Sequence, residues 1–167
     1  MALTVETLIR RPITPEDMDL LETIYASTRE LEMAIVPWSN EEKAAFLHMQ
    51  FEAQHRHYQM FFPSAQYLLL FDGDVPVGRI YLDRRGREMH VMDIAILPPF
   101  RNQGLGTALI REVMDNAFAD GMSVGLHVEN FNPARRLYDR LGFLPVGEDG
   151  VYIRMTANAP AGQSSPS

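Results

Sequence analysis

The chain predicts an α/β (α+β) fold: one domain with a mixed central sheet of about six to seven strands and about four helices on its two faces. Three observations carry this. Short apolar runs such as Tyr67–Phe71, Val77–Leu82 and Val124–Val128 alternate with segments of helical period. Gly, Pro and Asp punctuate the junctions between them. The 167 residues, 46% hydrophobic and 22% charged, suffice for one sizeable core and match an ordinary globular composition.

Thr7 to Pro12 reads as a first strand, ended by proline. Thr14-Pro15-Glu16-Asp17 has the marks of a helix start: a capping hydroxyl, proline in the first turn and acids facing the helix dipole. Leu20, Leu21, Ile24 and Tyr25 form its apolar face. Ser39 with Glu42 is a capping box for a second helix, whose stripe Ala45, Phe46 and Met49 leads into Phe51 and Tyr58 and stops near Pro63. Tyr67–Phe71 and Val77–Leu82 are joined by Asp72-Gly73-Asp74, a hairpin signal. A polar turn over Asp83–Arg87 delivers a long apolar strand. After Gly106, Leu109, Val113 and Ala117 recur at helical spacing until Gly121. Val124–Val128 is a strand, Asn132-Pro133 opens a last helix closing at Gly142, and Val151–Met155 is a final strand. The reading is a domain over 1–156 and a disordered tail over 157–167, rich in Ala, Pro, Gly and Ser.

Composition narrows the partners. A net charge of −7 disfavours nonspecific nucleic-acid binding, since phosphates would meet a negative field. The absence of cysteine excludes disulfides, thiolate metal sites and a cysteine nucleophile. No apolar stretch resembles a signal peptide or a membrane span, so a cytoplasmic protein without membrane contact is the expectation.

The densest signal is the junction after that long strand. Val91–Leu97 ends at Pro98-Pro99, and Arg101-Asn102-Gln103-Gly104-Leu105-Gly106-Thr107 leads into the helix. A strand, a glycine turn and a helix start aim backbone N–H groups and the positive end of a helix dipole at one point, which suits a phosphate. Gly104 and Gly106 lack the Cβ atoms that would block close approach, and Arg101 adds a positive charge. A nucleoside-triphosphate loop needs Lys then Ser/Thr after its last glycine, where Thr107-Ala108 stands. A dinucleotide fingerprint needs Gly or Ala where Leu109 stands.

Arg101-x-x-Gly104-x-Gly106 resembles the acetyl-CoA pyrophosphate loop of the GNAT acyltransferase superfamily. A second block, Asn132-x-x-Ala-x-x-Leu137-Tyr138-x-x-x-Gly142-Phe143 after the strand Val124–Val128, is similar to that family's later strand and helix. The likeness covers Val77 to about Met155.

The resemblance implies an acetyl-CoA-dependent N-acyltransferase with a primary amine acceptor, small molecule or peptide, attacking directly in a ternary complex. Acetyl-CoA would be the co-substrate, with no metal. The amides of Gln103 to Thr107, with Arg101 and Asn102, would hold the pyrophosphate. The backbone of Ile94, Ala95 and Ile96 would pair with the pantetheine and present an N–H to the thioester oxygen. Tyr138 would protonate the departing thiolate. Asn132 would contact the pantetheine, cap its helix, or both, and Arg135 would reach phosphates from the same helix. Asp93 is the provisional base, with Glu129 and His127 as alternatives; a structural aspartate is the competing reading. Strict alternation sets Val91, Asp93 and Ala95 on one face, a parity that a bulge would break.

The acceptor side is expected at the first two helices and their connection, Arg29–Trp38. Glu30 would attract a cationic amine, while Trp38 and His55 are candidate pocket walls. His48, Glu52 and His55 share a helix face, but the two imidazoles are two turns apart, too far for one metal ion. The same fold as a non-catalytic acyl-CoA-binding sensor or partner module is the alternative. Many members of the family dimerise, so a homodimer is compatible with the sequence.

Overall fold

A computed structural model of the chain describes residues 3–160. A short turn of 3-10 helix (Val5–Thr7) precedes β1 (Ile9–Pro12), and another (Pro15–Asp17) opens α1 (Met18–Ser27). Then come α2 (Glu30–Ala34), α3 (Asn40–Phe61), β2 (Gln66–Asp72), β3 (Val75–Arg85) and β4 (Glu88–Ile96). They are followed by α4 (Leu105–Ala119), β5 (Ser123–Glu129), α5 (Ala134–Leu141), β6 (Leu144–Asp149) and β7 (Tyr152–Ala157). The seven strands form one mixed sheet in the order β1-β2-β3-β4-β5-β7-β6, with only β4 and β5 parallel.

Each face of the sheet buries one apolar layer. On one side α4 contributes Leu109, Ile110, Val113 and Ala117, packed on Val91, Val124, Leu126 and Met155. On the other, α1 and α3 cover Tyr67, Leu69, Tyr81 and Ala95 with Leu21, Ile24, Tyr25 and Phe51. Residues at helical spacing thus meet residues alternating on strands, the usual solution for an α/β sandwich.

Two departures from regular pairing position the site. β4 and β5 pair only over Glu88–Val91 and Ser123–Leu126, so beyond Leu126 the two strands part. At the same place the β3–β4 register jumps from Leu82↔Val91 to Tyr81↔Asp93, leaving Met92 as an extra residue. This bulge breaks the expected alternation. Val91 joins Ile94 and Ile96 in the α4 layer, whereas Met92 and Ala95 belong to the α1/α3 layer. Asp93, opposite Tyr81, lies on the α1/α3 face as well.

Several element expectations change. Thr7 belongs to the first turn, where its hydroxyl donates to the Thr4 carbonyl, so β1 starts at Ile9. Thr14 does open a helical turn, donating from both N–H and hydroxyl to Asp17 Oδ2. The Ser39–Glu42 capping box forms, but Ala45 and Met49 are exposed. α3 instead turns Leu47, Phe51 and Tyr58 to the sheet. α2 buries no residue, and β6 is exposed throughout. Neither therefore carries the periodicity by which an element is read from sequence. The last strand runs through buried Ala157, and residues 161–167 of the expected tail lie outside the described residues.

Candidate active site

The glycine loop forms the cradle its residues suggest. Asn102 (φ 61°) and Gly104 (φ 78°) are both left-handed, and Gly104 caps α4. A Cβ built at Gly104 or Gly106 meets nothing within 4 Å, so open space lies in front of the first α4 amides. Those N–H groups have no intrahelical partner, and the 15-residue helix adds its dipole to them. A phosphate fits here. Gln103 braces the loop by donating from its amide to the Pro99 carbonyl at 3.0 Å. Leu105 is buried in the core, while Thr107 is half-buried in the first turn.

Arg101 is placed differently from the expectation. Its Nε donates to the Ile96 carbonyl at 2.8 Å and its Nη2 to the Ser27 carbonyl at 3.0 Å. The guanidinium therefore ties the end of β4 to the end of α1, and the cradle is built of backbone.

On the strand, the Leu97 N–H donates to the Val77 carbonyl, toward β3. Alternation turns Ala95 the same way, leaving the backbones of Ile94 and Ile96 to face the gap between β4 and β5. Of the three residues expected to offer backbone groups there, two do. The Ile96 carbonyl is already engaged by Arg101.

Asp93 sits where the strands begin to part, and its partner is a residue the sequence reading did not single out. Arg79, 2% exposed, donates from Nε to Asp93 Oδ2 at 2.6 Å and from Nη2 to Gln54 Oε1 at 3.0 Å. Its guanidinium also lies 4.6 Å from the Tyr81 ring centre. Burial and then the Asp93 charge hold the Tyr58 phenol far above its ordinary range. The signal was present: Arg79 and Asp93 are lone opposite charges inside two successive apolar runs.

Tyr138 lies on α5, edge-on to Phe143 at 5.7 Å between ring centres. Burial first, and the Asp93 carboxylate second, push its phenol up, so it keeps its proton at neutral pH. Asn132, just before α5, accepts at Oδ1 from the Ala134 N–H at 2.9 Å. The Arg135 guanidinium donates to Asn130 Oδ1.

The acceptor-side candidates are dispersed. An open groove of about 610 Å³ runs between α1, α2, α3 and the end of β4, lined in part by Ser27, Glu30, Met33, Lys43 and Leu97. Glu30 lines it. Trp38, 41% exposed, packs edge-on against Phe46 instead. His55 stacks on Phe51 and is kept neutral by burial and by the Arg79 charge. His48 binds Glu22 through Nδ1 at 2.6 Å and Glu52 through Nε2 at 3.1 Å. Among the described residues no group of three or more His, Asp or Glu is placed to hold a metal ion, and no helix is long and apolar enough to cross a membrane.

Residues 25–143 match the acetyltransferase (GNAT) family. The chain is 32% identical over 100 residues to a probable N-acetyltransferase, san, of Drosophila melanogaster, covering 56% of this chain and 54% of that protein. It is 34% identical over 99 residues to the N-alpha-acetyltransferase RimI of Mycobacterium tuberculosis, covering 56% and 61%. The chain thus spans little more than half the length of these curated relatives. In fold it resembles the PaiA N-acetyltransferase of Thermoplasma acidophilum in complex with coenzyme A, with a TM-score of 0.69, 17% identity, and coverage of 91% and 99%.

Proposed function

The chain belongs to the acetyltransferase (GNAT) family, and on that premise we propose that it is an enzyme moving an acetyl group from acetyl-CoA to a primary amine. The observation that carries the reading is the open cradle at Gly104 and Gly106 beside a sheet that parts between β4 and β5. The first α4 amides would bind the pyrophosphate, and the Ile94 and Ile96 backbones would line the pantetheine arm.

Transfer proceeds by direct attack of the amine in a ternary complex. An N–H of the parted strand polarises the thioester carbonyl. The protonated Tyr138 phenol donates to the departing sulfur. Asp93, at the start of the parted segment, takes the amine proton. The amine enters along the α1–α2–α3 groove, where Glu30 favours a cation. A relative named as an N-alpha-acetyltransferase supports peptide α-amines beside small amines as acceptors.

The test is thiol release from acetyl-CoA against a panel of free α-amino peptides, polyamines and amino acids, with coenzyme A binding followed by calorimetry. Release stimulated by one acceptor class is the expected result. Binding without stimulated release would favour a sensor, and no binding would end the reading.

A further inference from the structure

On the α4 side the sheet is wider than the helix that covers it. α4 packs on β4 and β5, so the strip formed by β2 and β3 lies beside the helix. The cross-strand pairs Leu68↔Ile80 and Gln66↔Leu82 floor this strip, and Leu109, Val113 and Ala117 of α4 wall it. Arg10 of the edge strand β1 reaches across to α4. Its two terminal nitrogens donate to the two Glu112 carboxylate oxygens, Nη2 to Oε2 at 2.8 Å. The ion pair bridges the strip over a cavity of about 230 Å³.

The cavity has no part in the acetyl-transfer reading. It opens on the sheet face opposite the α1–α2–α3 groove, and its helix residues run from Leu109 to Asp120, away from the cradle at Gly104. The interior asks for an apolar body. An apolar cavity of about 150 Å³ already holds a benzene ring, so this one has space for a ring and a short arm. Leu68, Ile80, Leu82, Leu109 and Val113 offer water no hydrogen bond in return.

The rim sets the charge of the head group. The Arg10 cation is already paired with Glu112. Asp120, exposed at the C-terminal end of α4, forms no ion pair among the described residues. The end of the 15-residue helix adds partial negative charge, and no basic residue stands in its last turn. Gln66 and Asn116 complete the rim with neutral amides. An ammonium is favoured there and a carboxylate is not.

We propose that this cavity binds a small amine whose apolar body, the size of a single ring with a short arm, rests on the Leu68–Ile80 pair while its ammonium donates to Asp120. The site is separate from the acceptor groove and stands independently of the acetyl-transfer reading.

The probe is phenethylamine, added without acetyl-CoA to protein carrying labelled Ile, Leu and Val methyl groups. Saturable NMR shifts are expected at Ile80, Leu82, Leu109 and Val113, with a dissociation constant of about 1 mM. Phenylacetate, of similar body and opposite charge, should bind more weakly by about fivefold. Asp120→Asn, which alters an exposed side chain outside the core, should weaken phenethylamine about threefold and narrow its lead over phenylacetate. Leu68→Trp raises an indole from the floor and should abolish the shifts. Shifts confined to groove residues such as Leu47 and Leu97, no shifts at all, or undiminished binding in folded Leu68→Trp overturn the cavity as a site. Equal binding of phenylacetate, or full affinity in Asp120→Asn, overturns the amine as its ligand.

Discussion

The Nε of Arg79 meets Oδ2 of Asp93 at 2.6 Å, one buried cation on β3 answered by one partly exposed anion on β4. The two residues are not directly opposite, since Tyr81 pairs with Asp93 and Arg79 with Ala95. Asp93 lies two residues from Ala95, the partner of Arg79, so regular alternation sets the two side chains on one face.

Removing the anion should cost more than removing the cation. Asp93→Asn leaves a guanidinium buried without a counter-charge, an expected loss of about 3 kcal/mol or more. Arg79→Met leaves a carboxylate that can still reach solvent, so its loss should be smaller. Urea unfolding of the two variants checks the order, and equal midpoints would contradict it.

Tyr138→Phe keeps the edge contact with Phe143 and removes only the hydroxyl. Turnover should fall about 100-fold while the affinity for coenzyme A, by calorimetry, stays within a factor of two or so. A parallel loss of affinity would show the hydroxyl to be a binding group.

Gly104→Val sets a branched side chain at φ 78° in the mouth of the cradle. Coenzyme A binding should disappear while the far-UV spectrum is kept, because the space it fills touches no protein atom within 4 Å. Binding that survives would mean the phosphates lie elsewhere.

Arg101→Ala distinguishes a clamp from a phosphate contact. Loss of its bonds to Ile96 and Ser27 should lower stability by about 1.5–3 kcal/mol. A stability unchanged by the substitution, with affinity for coenzyme A lost, would return the guanidinium to the cradle.

Acid should act through Asp17, whose carboxyl is held far below its usual range by Arg11 first, with Thr14 adding hydrogen bonds. A depressed folded value means stability that is present above the unfolded carboxylate pKa, about 3.9, and is lost as pH falls through the folded one. Asp17→Asn should therefore lose less stability than wild type between pH 7 and pH 3, in thermal scans. Parallel curves would remove Asp17 from the acid response.

Much of the frame is legible in the chain because its signals are local. Ser39 and Glu42 cap α3 within four residues, Asp72-Gly73-Asp74 turns β2 into β3, and Gly104 needs only its own backbone to be left-handed. The remainder depends on register. Nothing near Met92 announces a bulge, yet it sends Val91 to the opposite face from Asp93 and Ala95. Arg101 looks like a phosphate ligand by spacing, but its reach to Ser27 spans 74 positions and exists only once α1 docks. β6 went unread because Pro145 and Gly147 speak against a strand, which an outermost position tolerates.

Met92 is surplus in a strict sense. Without it Val91, Asp93, Ile94 and Ala95 would alternate regularly and each would keep its present face. A chain one residue shorter at this point would pair β4 with β3 without a jump in register. The single extra residue thus sits where β4 leaves β5, one amino acid that regular pairing with β3 does not need.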